Sequence, residues 1–289
     1  MTKTVSDQDY RLFVNTVKRV SEYDLSDYSD KSLKRRIAKV LSDNKTDIHK
    51  LISDINSNTD YLEKIIRGVT VNTTELFRDP KAWHDIRYKV LPELASLPTI
   101  NIWHAGCSTG QEVYSMLILL NETGLLDKAR VLATDINSNV LETAGSGIYK
   151  YRFNRGYLDN FDRVIRRNPL NYEEFRDVPY SKYFTIDKDS DTLTIKPFLL
   201  EKPVYKKHDL VSCNNFIPGK FDLIICRNVI IYFNYSLQNR IFNFFYQNLH
   251  PGGSLVLGMH ESISGPMSER FIKSGHAYSK PVKYFGKII

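Results

Sequence analysis

The sequence predicts an α/β fold: a mostly parallel sheet with crossover helices, preceded by an N-terminal all-helical domain and interrupted by a small antiparallel β insertion. Three observations predict it. From Thr99 onward, short apolar runs alternate with stretches of helical periodicity, the pattern of strands joined by crossover helices. Residues 7–67 instead read as helices joined by polar turns. Between about residues 180 and 203 the alternation breaks into two strand-like segments around a polar turn.

In the helical part, Leu33, Ile37, Val40 and Leu41 fall at i, i+4, i+7 and i+8 and form one apolar stripe, with Lys34, Arg35 and Lys39 off it. Ile48, Leu51, Ile52 and Ile55 predict a second helix, and Tyr61, Leu62, Ile65 and Ile66 a third. These give a helical domain over residues 1–70, a linking segment over 71–98 and an α/β domain over 99–289. In the last, strands are expected at 101–105, 130–134, 222–226 and 254–258, with another through 204–206. Helices are expected at 111–120, 138–146 and 237–249. Residues 183–186 and 192–196 alternate around Asp187-Lys188-Asp189-Ser190-Asp191 and predict the inserted hairpin.

The composition of the 289 residues, 42% apolar and 25% charged, is that of a soluble globular protein and excludes wholesale disorder. The net charge of +7 is not gathered in a basic tail. The densest basic cluster is Lys31, Lys34, Arg35, Arg36 and Lys39, and residues 211–289 carry eight basic residues against three acidic. Cys107, Cys213 and Cys226 form no CxxC pair and no metal-ligand spacing, and their odd number argues against a disulfide framework. The N-terminus lacks the apolar core of a signal peptide. The longest uncharged stretch, residues 241–260, is broken by Asn243, Gln247, Asn248 and Pro251-Gly252-Gly253, so no membrane insertion is expected. A cytoplasmic protein is the expectation.

The segment most suggestive of chemistry is the first strand–turn–helix, ending in Gly106-Cys107-Ser108-Thr109-Gly110-Gln111-Glu112. Glycines after a first strand let the backbone approach a nucleotide at the sheet edge where open α/β folds bind ligands. It is neither a GxGxxG nor a P-loop, and an ordinary βα turn reads equally well. Asp135 ends the second strand, where an acid accepts hydrogen bonds from a ribose diol, although it would also serve as a helix N-cap. Together the two favour an adenosine-containing ligand. A buried strand leading into Cys226-Arg227-Asn228-Val229-Ile230-Ile231-Tyr232-Phe233, then a helix closed by Leu249-His250-Pro251-Gly252-Gly253, follows the order of Rossmann-like AdoMet-dependent methyltransferases. The absence of a dinucleotide fingerprint tilts the ligand from NAD to AdoMet.

With these blocks in order, and with Asn72-Thr73-Thr74-Glu75-Leu76-Phe77-Arg78-Asp79-Pro80 ahead of them, the chain resembles the chemotaxis receptor methyltransferases of the CheR type. The resemblance implies AdoMet as cofactor, AdoHcy as product, and methyl esterification of glutamates on chemoreceptor cytoplasmic domains. It implies AdoMet contacts from Asn72, Thr74, Arg78, Gly106, Glu112, Asp135, Asp209, Leu210, Cys226 and Arg227, the last two chiefly through backbone. The family more often has Asn where Asp209 stands. Without the resemblance, Asn72 and Thr74 would read as a helix cap. Arg78 and Tyr232 are the side chains expected nearest the transferred methyl. The N-terminal helices are implied to face the acidic methylation region of the receptor, with Lys34, Arg35 and Lys39 as docking residues. The hairpin matches a β-subdomain that in some members binds a receptor C-terminal peptide. Those members carry a glycine-containing loop, whereas the acidic loop here counts against such a tether. Location in the cytoplasm at receptor clusters follows. Two alternatives differ in kind: an AdoMet-binding regulatory or scaffolding module, and a methyltransferase for another protein or for nucleic acid. The nucleic-acid reading is weakened because no Asn/Asp-Pro-Pro-Tyr/Phe motif and no Pro-Cys nucleophile occur.

Overall fold

A computed structural model describes residues 5–70, 74–214, 219–284 and 287–288. Its central feature is a seven-stranded sheet built from β1 (Ile100–Ala105), β2 (Ala129–Asp135), β6 (Pro203–Lys207), β7 (Phe221–Cys226), β8 (Leu249–Leu257), β9 (Ile272–Ser274) and β10 (Ala277–Ser279). The spatial order is β9-β10-β8-β7-β1-β2-β6. The five strands from β8 to β6 are mutually parallel, and β10 and β9 add an antiparallel edge. All six residues of β7 are buried, as expected for a parallel strand covered on both faces.

Helix α6 (Gln111–Glu122) covers one face and is buried at nine of its positions, beside the insertion. Helix α8 (Tyr235–Asn248) covers the other, where Trp103 meets Phe244 and Phe245 at 5.9 and 5.5 Å between ring centroids. Strand order reverses between β1 and β7, and this leaves a crevice beyond their C-terminal ends.

The expected strands and helices are found to within a few residues, and α7 (Ser138–Ser146) has the expected bounds. The strand expected at 254–258 starts earlier, at Leu249, because Leu249 already pairs with Phe221 ahead of the register break at Pro251-Gly252-Gly253. The inserted hairpin, β4 (Phe184–Asp187) and β5 (Thr192–Ile195), gains a third strand, β3 (Ile148–Lys150), paired antiparallel to β5. Three residues with two exposed carry too little periodicity to announce themselves as a strand.

Ahead of the sheet lie α1 (Asp7–Val20), α2 (Asp30–Asp43), α3 (Ile48–Ser57) and α4 (Thr59–Val69). Ser6, Asp47 and Asn58 cap three of them by accepting from backbone amides. Their inner faces, including Leu33, Ile37, Val40 and Leu41, form one buried cluster. That cluster reaches the C-terminal edge of the sheet through Tyr28 and Ile136. Tyr28 packs edge-on against Phe233 at 5.1 Å, and the Ser29 amide donates to the Tyr232 carbonyl at 2.8 Å. The helices therefore sit over the crevice. No helix among the described residues is long and apolar enough to cross a membrane.

Candidate active site

The turn after β1 is shaped by close approaches. Gly106 and Gly110 have φ of +79° and +87°, and a Cβ on either would come within 2.6 Å of Val229 or 2.8 Å of Ala144. The Gly106 and Cys107 amides both donate to the Thr134 carbonyl, which ties the turn to the end of β2. There Asp135 accepts from the Ser108 amide at 2.9 Å and the Asn137 amide at 3.0 Å. The N-cap of α7 is Asn137, so Asp135 is left to face the crevice. Burial pushes its carboxyl pKa up, and the amide hydrogen bonds oppose that shift.

Arg78 stands between two left-handed non-glycine residues, Phe77 at φ 51° and Asp79 at φ 57°. Such strain costs on the order of 1–3 kcal/mol per residue and persists only where surroundings enforce it. Phe77 is enforced by burial against Trp83 and Phe161 and by donation from its amide to Ser115 Oγ. Asp79 and the Arg78 carbonyl are held by Arg227, whose guanidinium donates to Asp79 Oδ2 at 3.1 Å and to Arg78 O at 2.6 Å. The same group donates to Glu112 Oε2 at 3.1 Å and lies 5.5 Å from the Trp83 ring centre. Glu112 in turn meets His104 Nδ1 at 3.0 Å. Burial acts to raise the Glu112 pKa, but the His104 hydrogen bond and the Arg227 charge outweigh it and hold the carboxyl below its ordinary value. Beyond the backbone contact expected of Arg227, its side chain is 1% exposed and joins three distant segments.

These elements border a cleft in two adjoining parts. The larger, about 770 Å³, is lined by Gly106, Asp135, Ile136, Asp209, Leu210, Asn228, Val229 and Tyr232, with Tyr28, Ser32 and Arg36 from the N-terminal segment. The smaller, about 410 Å³, is lined by Thr74, Glu75, Arg78, Gly106, Ser108, Glu112, Arg227, Asn228 and Val229. Gly106, Asn228 and Val229 belong to both. Asp209 begins a short helical turn, accepting from the Val211 amide at 2.9 Å, and burial raises its pKa.

Comparison with known proteins matches residues 72–278 to the family described as CheR methyltransferase, SAM-binding domain. The chain belongs to the CheR methyltransferase family. Among its CheR relatives, Cher3 of Pseudomonas putida is 33% identical over 284 residues, 98% of this chain and 97% of that one. Chemotaxis protein methyltransferase 1 of Vibrio cholerae is 29% identical over 277 residues, 93% and 94% of the two chains. The chemotaxis protein methyltransferase of Listeria innocua is 28% identical over 263 residues, 90% and 92% of the two chains. This CheR-family protein is an AdoMet-dependent methyltransferase.

The cleft fits that cofactor. One part offers the buried carboxylate of Asp135 and the half-buried one of Asp209 at an aromatic wall, and the other offers charged groups beside Ser108 Oγ, a buried hydroxyl without a partner among the described residues. Of the expected contacts in this CheR-family chain, Gly106, Asp135, Asp209 and Leu210 lie in the larger part and Thr74, Arg78, Gly106, Glu112 and Arg227 in the smaller. Tyr232 borders the larger part and Arg78 the smaller. Cys226 is fully buried at the end of β7 and is not among the residues lining either part. Asn72 lies outside the described residues. Of the docking residues, Lys34 pairs with Asp7, Lys39 pairs with Asp43 at 2.7 Å, and Arg35 is exposed. The sequence reading missed Tyr28 and Arg36. The signal available for Arg36 was its place beside Leu33 and Ile37 at the edge of the apolar stripe of its helix.

Proposed function

We propose that this protein esterifies glutamate side chains in the cytoplasmic part of chemoreceptors, with AdoMet as donor and AdoHcy as product. The observation that carries the reading is the place of Arg78, whose guanidinium suits a carboxylate, on an enforced loop at the polar end of a cleft that fits AdoMet. Asp135 and Asp209-Leu210 hold the adenosine end, and Thr74 and Glu112, with Asn72 and the backbone of Cys226-Arg227, hold the amino-acid end. When bound, AdoMet supplies a methyl group activated by its sulfonium.

The substrate glutamate needs no general base, because a carboxyl with an ordinary pKa of about 4.3 is already ionised at neutral pH. The protein's work is to orient that carboxylate and exclude water. Arg78 offers two parallel N–H donors for a carboxylate. Tyr28, Tyr232 and Phe233 form an aromatic wall on the other side. Too tight a grip on the nucleophile would stabilise the ground state and slow transfer, so Arg78 acts by orientation.

Residues 1–70 act as the receptor-facing domain. Because Lys34 and Lys39 already have acidic partners, Arg35 is the leading docking residue of the three. The Asp187–Asp191 loop repels an acidic peptide, and no C-terminal tether is part of the proposal. The protein works in the cytoplasm at receptor clusters. The test is transfer of labelled methyl from AdoMet to membranes carrying the cell's own chemoreceptors. Base-labile label on receptor is expected, and no ester on any of those receptors overturns the proposal.

A further inference from the structure

We propose that Glu261 is a positioning residue for methyl transfer, its carboxylate fixing the loop of residues 228–232 that forms the wall shared by both parts of the cleft. Glu261 lies just past β8, is 9% exposed, and makes no ion pair among the described residues. Its carboxylate is met entirely by backbone. Oε2 accepts from the Asn228 amide at 2.7 Å and the Gly258 amide at 2.8 Å, and Oε1 from the Ile231 amide at 3.2 Å.

A buried carboxylate is costly, and core packing alone would be served better by an apolar side chain. What an acid adds is the capacity to accept several N–H groups at once and impose a loop shape that the chain resists. Asn228 takes a left-handed φ of 60° there, a conformation that Asn accepts more readily than other non-glycine residues. One of the fixed residues, Asn228, and its neighbour Val229 border both parts of the cleft, and Tyr232 follows within the same loop. The loop also receives the N-terminal segment, through the Ser29 amide on the Tyr232 carbonyl and the Tyr28–Phe233 bridge. One carboxylate therefore sets both the cleft wall and the seat of the helices above it.

Gly258 belongs to the same device. A Cβ there would come within 2.8 Å of Glu261 Oε2 and 3.0 Å of the Asn228 nitrogen, the space the carboxylate knot occupies.

The inference rests on the methyltransferase reading above, and its test is separable from it. Glu261→Gln keeps the side chain's size but turns one acceptor into a donor facing an amide. Turnover on receptor is expected to fall by about 100-fold, the scale of a small misplacement at a reacting centre. AdoHcy affinity by calorimetry is expected to fall far less than turnover. Amide hydrogen exchange at residues 228–231 should accelerate, with the rest of the sheet protected as in the parent. Gly258→Ala retains the acid and should give the same localised exchange and the same loss, so it carries the test if Glu261→Gln does not fold. Unchanged loop exchange in a folded variant overturns the inference. So does a lower melting temperature with turnover per folded molecule unchanged. Parent protein that esterifies no receptor would instead count against the receptor reading and leave the exchange result to decide this one.

Discussion

Replacing Arg227 by methionine removes a cation shared by Asp79 and Glu112 while nearly preserving side-chain volume. The guanidinium makes two ion pairs and one hydrogen bond to the Arg78 carbonyl, all from a side chain that is 1% exposed. Taking one partner from a buried pair costs about 3–5 kcal/mol, because the remaining charge is left without compensation. Asp79 is 24% exposed, so water takes up part of its share and the expected loss is about 3 kcal/mol, at the low end of that range. For a chain of this size that lowers the melting temperature by about 5 °C.

The loss should depend on pH in a defined direction. Glu112 has a lowered pKa in the folded state, so its ionised form contributes stability above its ordinary value of 4.5, and that contribution disappears as pH falls through the lowered pKa. Without Arg227 the Glu112 pKa rises toward what burial dictates, and the variant escapes the penalty by protonating. The gap between variant and parent is therefore widest near neutrality and narrows in acid. Thermal melts across that range read both effects. A shift under about 2 °C, well below that expected for a broken buried pair, or one that is the same at neutral and acid pH, would refute the reasoning.

Arg78→Ala should reduce turnover by about 100-fold with an unchanged circular dichroism spectrum, and unchanged turnover removes Arg78 from the site. Asp135→Asn should weaken AdoHcy binding by about 10- to 100-fold, the scale of losing hydrogen bonds to a charged group, and calorimetry reads it directly. Arg35→Glu should raise the KM for receptor at low salt, with kcat and AdoHcy affinity unaffected. The difference from parent should shrink as salt approaches about 1 M, where the screening length is near 3 Å. A salt-independent KM effect would place Arg35 outside an electrostatic contact.

The sheet was legible because buried parallel strands are written as continuous apolar runs: residues 223–226 are Leu-Ile-Ile-Cys, and only their ends had to be found. Asp135 was legible too, because its position at a strand end restricts what it faces. The role of the Arg227 side chain was not, since its partners Glu112 and Asp79 lie 115 and 148 residues away and periodicity carries only local information. Arg36 illustrates the same limit within a helix. The stripe of Leu33, Ile37 and Val40 fixes which face packs inward, but which neighbouring residue meets the cleft depends on how the helix sits on the sheet. Glu261 follows a strand in an unremarkable stretch of sequence, and its value appears only when three amides converge on it.

The most direct test of the central claim is to map the methyl groups transferred by the purified protein to its own cell's chemoreceptors, peptide by peptide, by mass spectrometry. The account predicts base-labile methyl esters on glutamates of the receptor cytoplasmic helices, lost with Arg78→Ala. AdoHcy binding with no ester on any receptor, or methyl carried by another residue type or by nucleic acid, would contradict it.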